Sequence, residues 1–242
     1  MKSHFLIEQI FHSAVEGEVM IRLSSGEQLP FSAGQLWIGF HDPMADLLPT
    51  ALYPAMDERG EWYLAGAIPS GWQAGGRLSI HGPIGRGFTL PRSSRRVACV
   101  SLDEGVHYLM PLMQQAVRQG AEIVFCGEHS PLRLPALIEV FSLNQREEWW
   151  QWADFIAVQG SLPAVAAFFK EIDEKFSLSS KKDGVEVMVR QPVYCAGMAE
   201  CGVCAIPARK GWLLVCRKGV VFDYSQINWS ALGSVENQRG ES

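Results

Sequence analysis

Residues 96–127 read RVACVSLDEGVHYLMPLMQQAVRQGAEIVFCG. The run RVACVSL is short, apolar and β-branched, the pattern of a strand buried on both faces. After it, Val106, Leu109, Met110, Met113, Ala116 and Val117 recur at helical spacing. Gly120 stands where such a helix stops. AEIVFCG is a second buried-type strand. Strand, helix, strand in this order predicts an α/β domain built on a mostly parallel sheet.

The same alternation continues downstream. DFIAVQG (154–160) is a third strand, and SLPAVAAFFKEIDEKF (161–176) a helix. Ser161 is its expected N-cap, Pro163 lies in its first turn and Lys175 in its last. ALIEVFSL (136–143) satisfies helix and strand patterns alike. REEWWQWADF (146–155) concentrates three tryptophans in four residues, which suits either a partner interface or a cap over the sheet.

Upstream the pattern is different. EVMIRLSS (18–25), GQLWIGFH (34–41), EWYLAGAI (61–68) and GRLSIHG (76–82) are short apolar and aromatic runs separated by Gly, Pro, Ser and Asp. Strands at this spacing predict a small β barrel or sandwich. PRSSRR (91–96) reads as a linker. The expected organisation is a β-barrel domain at 1–94, an α/β domain at 95–183, and a third module with a polar tail at 184–242. In that module GVEVMVRQPV (184–193) leads into the cysteines. GWLLVC (211–216), RKG and VVFDY (220–224) read as a hairpin whose first strand ends at Cys216.

Composition narrows the functions. The chain has 242 residues, enough for two modest domains, with 48% hydrophobic and 19% charged residues, a globular balance. Its formal charge of −5, without a basic block, argues against nucleic acid as a partner. The N-terminal stretch carries Glu8 and no long apolar region, so it is not a secretory signal. The longest apolar runs, PAVAAFF and GWLLVC, are too short to span a bilayer. A cytoplasmic location follows as the expectation. In that reducing compartment clustered thiols point to metal or redox chemistry.

Four of the six cysteines, Cys195, Cys201, Cys204 and Cys216, fall within CAGMAECGVCAIPARKGWLLVC. Their spacing is C-x5-C-x2-C-x11-C. Gly197 and Gly202 let the backbone turn and present N–H groups to sulfur. A [2Fe–2S] cluster needs four thiolates and such donors, and its plant-type spacing is C-x4-C-x2-C…C, one residue shorter in the first gap. A structural zinc site takes four cysteines too, usually as paired C-x2-C knuckles. Unligated thiols are the third reading, and spacing alone leaves all three open. Arg209, Lys210, Arg217 and Lys218 flank the set. Cys99 and Cys126 lie inside strand runs and read as core residues. The six histidines, at 4, 12, 41, 81, 107 and 129, form no metal-binding spacing, and no acid–base or nucleophile constellation appears.

Four segments in order carry a resemblance. SAGQLWIGF (32–40) resembles a P-G-Q-F strand, and HGPIGRGFTL (81–90) a G-P-L-G-x-G-F loop. QPVYCAGMAECGVCAI (191–206) resembles a cluster loop, and VCRKGVVFD (215–223) a V-C-x-D-G-P-V-F segment. Together they resemble the electron-transfer subunit of class B dihydroorotate dehydrogenase. That is a branch of the ferredoxin–NADP reductase-like proteins, and it belongs to pyrimidine biosynthesis. The resemblance implies a ferredoxin-reductase-like two-domain fold, β barrel plus α/β, with a C-terminal iron–sulfur cluster module. It also implies electrons moving from NADH to FAD, through [2Fe–2S] on Cys195, Cys201, Cys204 and Cys216, to a flavin-containing catalytic subunit in a hetero-oligomer.

Some of the family's contacts are missing. Leu52 to Ala55 replace the R-P-x-S segment that faces the FAD pyrophosphate. Tyr53, Gly82, Gly85 and Phe88 remain as candidate flavin contacts. The glycine-rich A-G-G-x-G-x-x-P turn is reduced to Gly105 and Pro111 in SLDEGVHYLMP (101–111), with Asp103 and Glu104 where a phosphate would sit. The later C-G-P-x-x-M turn has become QGSLPAV (159–165). The expectation is an electron relay with a weakened FAD site and a lost NAD site. The alternative is a non-redox structural or regulatory adaptor with a four-cysteine zinc site.

Overall fold

The computed structural model describes residues 2–12, 19–24, 30–41, 48–103, 105–127, 134–175 and 184–232. The first six strands, β1 (Lys2–His12), β2 (Val19–Leu23), β3 (Leu36–Phe40), β4 (Thr50–Met56), β5 (Trp62–Gly66) and β6 (Arg77–Ile84), form a closed barrel in the order β1-β2-β5-β4-β3-β6. Its neighbours pair antiparallel, and β1 closes it by pairing with β2 on one side and β6 on the other. Phe5, Ile7, Ile21, Trp37, Leu52, Leu64, Leu78 and Ile80 fill one core cluster with Trp72.

The four runs expected as strands are β2, β3, β5 and β6. Two more, β1 and β4, complete the barrel. In β1, Phe5 and Ile7 point inward while Leu6 and Glu8 are exposed, an alternation of a half-buried strand. In β4, Pro54 masks the strand signal. Pairing with β3 ends at Leu52, so Pro54 has a strand on one side alone, where its missing N–H is tolerated.

A six-stranded sheet follows, in the order β14-β11-β10-β7-β8-β9. Its strands are β7 (Arg96–Ser101), β8 (Glu122–Cys126), β9 (Ile138–Phe141), β10 (Phe155–Ser161), β11 (Val185–Arg190) and β14 (Val221–Asp223). All pairs are parallel except β11 with β14. The helices α1 (Met110–Arg118), α2 (Arg146–Trp152) and α3 (Leu162–Lys175) lie between strands. The ambiguous ALIEVFSL resolves as edge strand β9 followed by Ser142, whose side chain accepts from Asn144 N–H and opens a capping box with Gln145.

The tryptophan-rich segment is helix α2. Trp149 and Trp150 are buried, and Trp149 stacks on Phe168 of α3 at 6.5 Å. These two rings therefore pack inside the domain. Trp149→Ala is expected to cost about 3–5 kcal/mol of stability, as aromatic truncation in a core does. An unchanged urea midpoint would contradict that burial.

The C-terminal region departs from the expected hairpin. β13 (Trp212–Leu214) pairs antiparallel with β12 (Ala205–Pro207), while β14 joins the large sheet beside β11. Cys216 lies in the short helix α4 (Val215–Lys218), and a last helix, α5 (Trp229–Leu232), follows. The break comes at Gly219, which holds φ 88° and ψ −176° and turns the chain into β14. The expected polar tail beyond residue 232 lies outside the described residues.

One continuous core cluster links these parts. It runs from Leu36, Ile38 and Tyr53 of the barrel wall through the sheet to Cys195, Cys204 and Cys216. A buried carboxylate reinforces the join. Glu186 of β11 accepts from Thr89 N–H at 2.7 Å and from the Thr89 hydroxyl, and pairs with Arg86 at 2.7 Å. Among the described residues no helix is long and apolar enough to cross a membrane.

Candidate functional site

The cysteine loop connects β11 to β12. Cys195, Cys204 and Cys216 are buried and Cys201 is exposed. Ala196, Gly197, Ala199 and Gly202 all adopt positive φ, at 50°, 86°, 65° and 69°. These turns bring the backbone N–H groups of Ala199, Glu200 and Cys201 to face the Cys195 sulfur. Burial pushes the Cys195 thiol up. Backbone N–H groups of Glu200, Cys201 and Ala199, with the Cys201 thiol, more than reverse this and bring it to about 6. Two alanines, Ala196 and Ala199, are held in a conformation that costs L-residues about 1 kcal/mol or more.

Sulfur contacts link the four residues. Cys195 is hydrogen-bonded to Cys201, and Cys216 to Cys204 and Cys195. The Cys216 N–H also points at Cys204 Sγ, 3.5 Å away. Burial first, then the Cys204 and Cys195 sulfurs, push the Cys216 thiol up to about 12. The turn is pinned where β12 and β13 meet, with Val215 N–H on Cys204 O at 3.2 Å. Among the described residues no group of three or more Cys, His, Asp or Glu side chains stands ready to hold a single metal ion. Cys99 and Cys126 sit apart in β7 and β8, fully buried as core residues.

A cleft of about 630 Å³ leads to this loop. It opens between β4 of the barrel and the carboxyl ends of β7, β10 and β11, where ligands of open α/β sheets bind. Its lining includes Thr50, Tyr53, Asp103, Ser161, Arg190 and Tyr194. Tyr53 is 4% exposed; its hydroxyl donates to Gln191 O at 3.1 Å and its ring meets Tyr108 edge-on at 5.8 Å. Tyr194, adjacent to Cys195, is half exposed.

Tyr53 is thus brought to the cleft, while Gly82, Gly85 and Phe88 are not among its lining residues. A Cβ on Gly82 would lie 2.8 Å from the Trp37 ring. One on Gly85 would lie 2.6 Å from the Gly219 Cα, so this glycine lets the barrel loop meet the chain just after α4. Phe88 is buried, with its N–H on Ala33 O at 2.9 Å.

The carboxylate of Asp103 is not at the N-terminus of α1. That helix starts after Leu109 without a side-chain cap or an acidic residue in its first turn. Asp103 instead accepts from Ser161 N–H at 2.7 Å, just before α3, and pairs with Arg190 of β11. Ser161, the expected N-cap of α3, closes β10 at the residue directly before that helix. Glu104 lies outside the described residues. Arg190, whose guanidinium also lies 4.9 Å over the Tyr108 ring, was not singled out from sequence. A lone arginine at a strand end carries no signal of its own.

Exposed apolar side chains gather along the same segments. Met198 and Val203 flank Cys201, and Trp212, on β13, is 69% exposed. Arg209, Lys210, Arg217 and Lys218 are exposed as well.

No family model matches the chain. Its fold is found among solved structures. An NADH-dependent reduced ferredoxin–NADP oxidoreductase is similar at TM-score 0.68 and 15% identity, covering 97% of this chain and 93% of that one. The ferredoxin reductase of carbazole 1,9a-dioxygenase has TM-score 0.57 at 14% identity, over 78% and 65% of the two chains. A ferredoxin–NADP+ reductase from Neisseria gonorrhoeae, with bound FAD and NADP, has TM-score 0.53 at 13% identity, over 77% and 97%. At these identities the likeness shows the fold: a ferredoxin-reductase-like barrel joined to a parallel α/β sheet.

Proposed function

We propose that this chain is the electron-transfer subunit of an oxidoreductase complex. It relays single electrons through a [2Fe–2S] cluster on Cys195, Cys201, Cys204 and Cys216. By the resemblance of its four segments, the partner is a flavin-containing catalytic subunit of the dihydroorotate dehydrogenase kind, working in the cytoplasm. The likeness of fold to ferredoxin reductases supports the electron-transfer role.

One observation carries this reading: three backbone N–H groups converge on the sulfur of Cys195 while contacts join all four thiols. The set fits a two-iron cluster. The ligands are all sulfur, they come as two pairs (Cys195 with Cys201, Cys204 with Cys216), and N–H donors offset thiolate charge. When bound, such a cluster takes up and returns one electron. Burial of three cysteines keeps water from that side, and exposed Cys201 marks the edge open to a partner. Around it, Met198, Val203 and Trp212 supply apolar contact area. Arg209, Lys210, Arg217 and Lys218 form no ion pair among the described residues, which suits a partner with an acidic rim.

A flavin is the natural neighbour on the cleft side. The volume is of the right order for a cofactor pocket. Leu52 and Ala55 are fully buried, so neither offers a side chain to a pyrophosphate. A flavin there would rest on Tyr53, Tyr194 and backbone.

The test is the anaerobically purified full chain. It should be brown, with visible bands that dithionite bleaches and about two irons and two sulfides per chain. A colourless protein with stoichiometric zinc would establish the adaptor alternative instead. Yellow colour released on heating would show a flavin.

A further inference from the structure

We propose that the Asp103 carboxylate is a built-in anion that fills the phosphate position in the α/β half of the cleft, and that it is the residue keeping nucleotide phosphates out. In α/β folds a nucleotide phosphate approaches the carboxyl ends of the strands and takes N–H groups at the start of the next helix. Here that place is already filled. One oxygen of Asp103 holds the Ser161 N–H, 2.7 Å away, at the entrance to α3. The other pairs with Arg190, the one cationic side chain among the described residues lining the cleft. The two groups a phosphate would seek are satisfied by the chain itself.

The carboxylate is firmly held. Its own backbone carbonyl accepts from the Ser101 hydroxyl at 2.6 Å and from Nε2 of fully buried Gln159 at 3.1 Å. Leu102 N–H donates to Gln159 O at 3.1 Å. Tethered from below and paired above, Asp103 already occupies the place an arriving anion would take. A phosphate entering would meet a fixed negative charge and an arginine already neutralised. The residues present therefore do not fit a pyridine dinucleotide in this half of the cleft. This inference is independent of what the cysteines hold.

The experiment uses the full chain and ADP as the probe, with inorganic phosphate as a comparison, followed by titration calorimetry. The native protein should show no saturable ADP binding. Asp103→Ser should gain ADP affinity by roughly tenfold or more, because a like charge in the site has been removed. That gain should weaken with salt and vanish when Arg190→Gln is added. Asp103→Asn retains an acceptor for Ser161 N–H while losing the charge. It should also gain affinity, and it serves if the serine variant does not fold. The proposal is overturned if the native chain binds ADP as tightly as the variants. It is equally overturned if a folded variant gains nothing, or if the gain survives Arg190→Gln.

Discussion

Gly219→Ala is expected to lower the melting midpoint by roughly 6–12 °C, from a cost of about 3 kcal/mol in a chain of this size. Two causes act together. At φ 88° and ψ −176° Gly219 occupies a region open essentially to glycine alone. An added Cβ would also stand 2.5 Å from the Cα of Gly85, and backbone cannot rotate aside as a side chain can. The contact joins two distant parts of the chain. Gly85 follows β6 of the barrel, and Gly219 ends α4, three residues after Cys216, with its N–H on Val215 O at 2.8 Å. Forcing them apart should disturb the fourth cysteine as well as the barrel. Gly120→Ala is the control, because nothing lies within 4 Å of its added Cβ. Its φ of 71° alone should cost only about 1 kcal/mol. Equal melting points for the two variants would show that the Gly85–Gly219 contact contributes nothing.

Cys216→Ser is expected to remove most of the iron and visible absorbance from the purified chain. Cys216 is buried, contacts two of the other three sulfurs, and is held by α4 rather than by the loop. No neighbouring thiol is placed to replace it. Cys99 and Cys126 lie in the sheet, where burial pushes the Cys99 thiol up to about 12 and the Cys126 thiol higher still. Cys99→Ala should therefore leave the spectrum intact. A Cys216→Ser protein with full cluster absorbance, or a Cys99→Ala protein without it, would contradict the assigned ligand set.

The α/β half was legible because its signals are local. Buried parallel strands are continuous apolar runs, and β7, β8 and β10 stand out as such. The helix between β7 and β8 shows its own period, and Gly120 marks its end. Two barrel strands were harder. β1 carries His, Glu and Gln on its outer face, and β4 contains Pro54, a strand breaker tolerated there because β3 stops pairing two residues earlier. The expected hairpin at 211–224 failed for a related reason. Two apolar runs around RKG look like hairpin arms, but β13 had a nearer partner in β12 and β14 an open edge at β11.

The candidate site divides along the same line. Cys195, Cys201, Cys204 and Cys216 were readable as a set because their spacing is written along the chain. So were the glycines that turn the loop, although Ala196 and Ala199 in left-handed conformations were not.

Composition and periodicity, then, were enough for a small barrel or sandwich followed by an α/β sheet, and spacing was enough to single out four cysteines as a set. Propensity, alternation and spacing act over a few residues and survive in a one-dimensional string. Closure of the chain settled the rest. It carried Asp103 to Arg190, 87 residues away, and Thr89 to Glu186, 97 residues away. It seated Gly85 against Gly219, and it turned Trp149 and Trp150 inward. Such contacts depend on which elements lie side by side once the apolar surfaces are buried. For that reason a carboxylate that precedes α1 in sequence lies instead at the start of α3.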